Sequence, residues 1–106
     1  MALNYKKLVQ VILDNAAPQQ IYQAPPGSEV IVRGIKVVNK SGVTCSARLW
    51  HDGSADVNII LPPVDIVAGG WGDYDGVVLM EAQDTLYGQA GAADSIVVAV
   101  YGLVKS

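Results

Sequence analysis

Apolar positions in this chain fall in short runs rich in Val, Ile and Leu, cut at regular intervals by Gly, Pro, Asn and Asp. Alternation at period two recurs, while an apolar period of 3.6 residues is almost absent, so the pattern predicts strands and no helix. Strands are expected over residues 5–14, 21–24, 30–39, 45–51, 57–61, 64–67, 71–74, 77–80, 85–89 and 95–104. Turn signals recur every ~8–12 residues, the signature of an all-β sandwich or barrel. The expected fold is a single-domain antiparallel β-sandwich of eight to ten short strands spanning residues 1–106. Local alternation leaves jelly-roll and immunoglobulin-like strand orders open.

The stretch 21–39 is the clearest unit. Pro26 presets the φ required at the second position of a turn, and Gly27 accepts the positive φ that a type II turn needs next. Val30, Ile31, Val32, Ile35, Val37 and Val38 then favour a pleated backbone. Ala24-Pro25-Pro26-Gly27, Val67-Ala68-Gly69-Gly70 and Ala82-Gln83-Asp84 each punctuate a strand pair in the same way, which reads as recurrent corner chemistry. Gly34 and Gly102, inside strong strands, indicate bulges or close backbone approach. Pro62-Pro63 is expected to separate two strands, since proline cannot continue a central one. In residues 5–14 both faces are largely apolar, with Leu8, Gln10 and Ile12 on one and Val9, Val11 and Leu13 on the other. That strand is expected to be covered on both sides, and residues 1–14 to serve as an edge strand or arm in assembly.

Composition changes the picture in one respect. With 106 residues and 51% hydrophobic content the chain can build a core without staples, yet only 16% of its residues are charged. A typical globular chain carries about 25%, so part of the surface is expected to face another subunit, unless neutral polar residues cover it. A net charge of -3 with seven scattered Lys and Arg lacks the basic stripe that phosphate backbones require, so no nucleic acid is expected. No apolar run approaches a membrane span and no signal peptide is recognisable, so no membrane partner is expected. Cys45 is the single cysteine; it excludes an intrachain disulfide, reads as a small buried hydrophobe and fits a reducing cytoplasm.

Candidate chemistry does not accumulate. His51, the sole histidine, precedes Asp52-Gly53-Ser54, but adjacency in sequence is no sign of a triad and the segment reads as a strand entering a turn. Asp73-Tyr74-Asp75-Gly76 supplies only two of the alternating acids of a calcium loop, and Glu81 does not complete it. Gly69-Gly70-Trp71-Gly72 lacks the lysine and helix of a phosphate loop. No catalytic residue, metal or cofactor is therefore assigned. The aromatics Tyr5, Tyr22, Trp50, Trp71, Tyr74, Tyr87 and Tyr101 suit packing or an interface, with a sugar-stacking platform as the alternative.

Residues 21–27 followed by 30–39 resemble a pattern in small structural proteins of tailed bacteriophages, an Ile/Leu-Tyr-x-Ala-Pro-x-Gly corner leading into a long strand that closes on Asn. Val67-Ala68-Gly69-Gly70-Trp71 and Glu81-Ala82-Gln83-Asp84-Thr85-Leu86-Tyr87 look like the matching second half. There the pattern often has Gly-Asp, and Gln83 is expected to make the corner less tight. The resemblance covers most of the chain and implies a jelly-roll-like virion component assembled in the host cytoplasm. The role it implies is a capsid decoration (cement) protein, a homotrimer that binds the major capsid protein, with a tail or neck component as the alternative. Candidate interface residues are Tyr5, Leu8, Val9, Val11, Trp50, Trp71 and Tyr74. A carbohydrate-binding module using Trp50, Trp71 and Tyr74 is the rival binding function, and a cupin-like enzyme, lacking a histidine cluster, the rival catalyst.

Overall fold

The computed structural model describes residues 3–74 and 77–105. Among these residues nine strands are present: β1 (Leu3–Ile12), β2 (Gln19–Gln23), β3 (Glu29–Asn39), β4 (Cys45–His51), β5 (Ile59–Ile66), β6 (Trp71–Tyr74), β7 (Val78–Met80), β8 (Thr85–Ala90) and β9 (Ile96–Lys105). They form two antiparallel sheets: β1-β9-β3-β6, with β7 also on β3, against β2-β8-β4-β5. The expected β-sandwich is thereby shown, and the strand order settles the open choice in favour of a jelly roll.

The chain is best understood as one long hairpin rolled up. Its first leg pairs with its second in order, β1 with β9, β2 with β8, β3 with β6 and β7, and β4 with β5. Asp52 and Gly53, both at positive φ, lie just past β4 at the tip. Rolling then brings β3 onto β9 and β4 onto β8. Between the sheets lie Val30, Val32, Ile35 and Val37 of β3, Ile96, Val98 and Val100 of β9, and Leu49 and Leu86 opposite them, all buried. Strand alternation in β3 and β9 delivers this core directly.

Each time the hairpin crosses from one sheet to the other, both legs cross together and bond to each other. Leu13 N–H donates to Ile96 O at 2.8 Å and Ala90 N–H to Asp14 O at 2.9 Å at the first crossing. At the second, Ala24 N–H donates to Asp84 O and Gln83 N–H to Ala24 O, both at 2.9 Å. At the third, Asn39 N–H donates to Gly70 O at 2.9 Å.

Three corners share one construction. Ser28 N–H donates to Pro25 O, Gly70 N–H to Val67 O and Asp84 N–H to Glu81 O, and the third residue of each turn, Gly27, Gly69 or Gln83, has φ of 75°, 69° or 70°. This is the type II arrangement, so the recurrent corner chemistry is real. The expectation that Gln83 loosens its corner is corrected: the turn closes at 3.0 Å with glutamine held in glycine's conformation.

Two further expectations are amended. Pro62-Pro63 does not divide two strands; it lies within β5, which among the described residues pairs only with β4. There the register runs Ala47↔Val64 then Leu49↔Leu61, so an extra residue sits at the prolines. An edge strand with a bulge is where proline is tolerated. The register of β1 also shifts between Lys7 and Val9. That bulge turns Leu8 to the inside, where it packs on the core with Val9 and Val11. Ile12, 46% exposed, looks outward, so β1 is covered on one side only. The glycine expectation holds at both positions: β3 bulges between Val32 and Gly34, and Gly102 permits a close backbone approach, since a Cβ there would stand 2.3 Å from Ile31 O.

Asn39, fully buried, holds the third crossing. Its Nδ2 donates to Val43 O and Ile66 O, both at 2.8 Å, and its Oδ1 accepts from Ser41 N–H at 2.9 Å and Ser41 Oγ at 2.7 Å. Two donors and two acceptors are all used. Replacement by alanine orphans buried backbone groups and is expected to cost about 3 kcal/mol or more; the isosteric Asn39→Asp does at least as much harm at neutral pH, because a carboxylate then faces two carbonyls. Urea unfolding measures both, and a loss under 1 kcal/mol for each (about the worth of one ordinary hydrogen bond) would refute the role. Gln83→Gly is expected to stabilise the fold by about 0.5–1 kcal/mol, relief of the left-handed conformation outweighing the added chain entropy; a lowered Tm would show that glutamine is not strained there.

Candidate functional site

Among the described residues no group of three or more His, Cys, Asp or Glu could hold a metal ion. Cys45 is buried, as expected of a small hydrophobe. His51 Nε2 lies 3.3 Å from Asp84 Oδ2, across the sheet, and not against the adjacent Asp52. The pair is close enough for an ion pair but misaligned for a hydrogen bond, which His51 Nε2 does not make. Asp84 Oδ2 also accepts Glu81 N–H at 3.0 Å, so this carboxylate belongs to the corner. On β2, burial pushes the Tyr22 phenol above its usual pKa.

What distinguishes the surface is the outer face of the β1-β9-β3-β6 sheet. Strand register places Ile12, Val97, Val38 and Trp71 in one row crossing all four strands. A second row joins Leu103, Ile31 and Leu79, with Tyr5 at the β1 register position. Trp71 is 62% and Leu79 66% exposed. Between the rows run Gln10, Ala99, Lys36 and Asp73, and the Lys36 ammonium sits 4.8 Å from the centre of the Trp71 ring, a cation–π contact. The outer face of the other sheet is more polar, with Ser46 paired to Asp65 and Arg48 to Gln89.

The sandwich is open at the side where β5 and β6, edge strands of opposite sheets, diverge. A groove of about 590 Å³ lies there, lined by Leu61, Val64, Val67, Trp71 and Tyr74 with Asp65 and Asp73 at its polar margin.

The predicted interface residues separate on these surfaces. Trp71 is exposed, and Tyr74 is half-buried, packing on the core while lining the groove. Leu8, Val9 and Val11 point inward; β1 offers a neighbour its backbone edge more than these side chains. Only the backbone of Tyr5 is described. Trp50 is not at the surface: it is 3% exposed, with the Arg48 guanidinium 5.6 Å from its ring centre and Nε1 without a partner among the described residues. Its burial also removes it from any sugar-stacking platform with Trp71. The sequence reading missed Leu79, Ile31 and Val38, although Val78-Leu79-Met80 alternates and two of the three face the core.

No protein-family profile matches the chain, and no curated protein matches it in sequence. Solved structures do match in fold. A chain of the disulfide-linked pili of Bacillus endospore appendages superposes with a TM-score of 0.62 at 11% identity, covering 98% of this chain and 88% of that one. A chain of the acid-stable capsid of Helicobacter pylori bacteriophage KHP30 gives 0.61 at 10% identity, covering 100% and 89%. At such identities the likeness establishes the fold.

The two tryptophans report their surroundings separately. Trp71→Phe is expected to leave a blue-shifted emission that acrylamide barely quenches, and Trp50→Phe a red-shifted, readily quenched one. Equal quenching in the two variants would contradict the placement of Trp50.

Proposed function

We propose that the chain is a non-enzymatic structural protein of a tailed-phage virion, a capsid decoration protein that self-associates as a trimer and binds the major capsid lattice. The observation that carries this reading is the full-length likeness to a chain of a phage capsid, on a domain whose most distinctive surface is an apolar sheet face. Shells and pili both repeat one chain many times, and repetition multiplies modest contacts by avidity. A decoration protein needs a rigid fold and a surface, which is what a tightly cornered sandwich with 16% charged residues provides.

The pilus likeness supports a structural role of the same kind but not the same linkage. Those appendages are disulfide-linked, whereas the sole cysteine here, Cys45, is buried at the start of β4. Self-association of this chain would rest on noncovalent contacts.

The test is co-sedimentation of the purified protein with heads assembled from the major capsid protein of the same genome, together with light scattering of the free protein. Saturable binding at a fixed ratio to capsid subunits, and a solution mass of three chains, are expected. Absence of binding to those heads would remove the decoration role, and a strict monomer at tens of micromolar would remove the trimer.

A further inference from the structure

We propose that copies of this chain associate head to tail through the two free edges of one sheet, β1 of one copy pairing with β6 and β7 of the next. This deepens the proposed self-association and rests on it, naming the surfaces involved.

Among the described residues β1 pairs only with β9, while β6 and β7 pair only with β3. Both ends of the sheet therefore carry unpaired backbone groups, the usual template for strand addition. Direction favours the match. β1 and β3 are each antiparallel to β9, and β6 and β7 are antiparallel to β3. A second copy displaced across the sheet thus brings its β1 antiparallel to β6.

Register favours it too. Ile12 and Trp71 occupy the same cross-strand row, and Gln10 and Asp73 the next. Continuing the rows sets Ile12 of one copy beside Trp71 of its neighbour and Gln10 beside Asp73. An apolar row that ends at an exposed tryptophan then runs on without interruption. The incoming β1 would also carry Val9 and Val11, which face the inside of their own sandwich, up to the apolar groove between β5 and β6.

Charge decides between this arrangement and a two-fold one. β1 carries Lys6 and Lys7 and no acid, whereas β6 carries Asp73 and no base. Two β1 edges facing each other would oppose lysines, a familiar device against like-edge pairing. Against β6 Lys7 finds a carboxylate: it already reaches the Gln10 side chain at 2.8 Å, the row in which Asp73 would stand. Such a contact joins different surfaces on the two partners and closes into a ring when the rotation between neighbours divides a full turn. Three copies would form the proposed trimer in this way.

Cysteine pairing tests it. Within one chain residues 12 and 71 are separated by β9 and β3, roughly 14 Å at the usual strand spacing, beyond the reach of a disulfide. In a Cys45→Ala background, mixed and oxidised Ile12→Cys and Trp71→Cys chains are expected to form the mixed disulfide in preference to either homodimer. Separately, Lys7→Glu and Asp73→Lys should each weaken association about fivefold, as for a partly exposed charge pair, and the double variant Lys7→Glu/Asp73→Lys, which restores an opposite-charge pair at every contact, should recover it. Predominant Ile12→Cys homodimers would establish a two-fold contact and overturn the proposal. Loss of the mixed disulfide with no response to the charge variants, while light scattering still shows an oligomer, would overturn edge pairing alone. A strict monomer would overturn self-association as well.

Discussion

The structure depends on how a rolled hairpin carries its backbone between two sheets. At every crossing the chain leaves one ladder before joining the next, and its N–H and C=O groups need partners at the edge of an apolar core. Here the two legs cross side by side and serve as each other's partners. Leu13 bonds Ile96, Ala24 bonds Asp84, and Asn39 bonds Gly70. The third crossing also takes in the loop before β4, more than backbone pairing alone can satisfy. The Asn39 amide supplies two donors and two acceptors from one buried position. Serine has too few groups for this, and aspartate the wrong ones.

Much of this was legible in the sequence because turns are governed by local rules. Pro26-Gly27 and Gly69 announce their backbone conformation by residue type, and 45–51 and 71–74 match β4 and β6 at both ends. The rest was set by distant neighbours. Pro62-Pro63 looks like a break until β5 is known to lie at an edge, where missing donors face no ladder. Gln83 carries no sign of its positive φ; the corner opposite, bonded to it through Ala24, imposes that geometry. Trp50 and Trp71 stand in equally alternating strands. One is covered by Arg48 of its own strand and the other is held open at a sheet edge, a difference that no local pattern encodes.

The bulges decide which side of β1 is available. In β1 the extra residue falls between the partners of Tyr101 and Val100, and in β3 between the partners of Gly102 and Tyr101. The two irregularities flank the same short segment of β9, and bulges bend strands and increase local twist. Gly102 fits this bend because β3 backbone occupies the space a side chain would need. The consequence reaches the surface. By turning Leu8 inward beside Val9 and Val11, the β1 bulge leaves Lys7, Gln10 and Ile12 to face out, so this strand meets solvent with a basic, largely polar edge.

Asymmetry between the two sheets gives these details a direction. The β2-β8-β4-β5 sheet carries Ser46, Arg48, Gln89 and Asp65 in outward pairs and has its β5 edge occupied by two prolines. Proline offers no N–H to an incoming strand, so that edge resists pairing. The opposite sheet has no proline in any of its strands, two apolar rows on its outer face and edges of unlike charge. A monomer gains nothing from exposing Trp71 and Leu79 at 62% and 66%, since burying a large apolar side chain is worth about 1.5–3 kcal/mol. An assembly recovers that energy at every repeated contact.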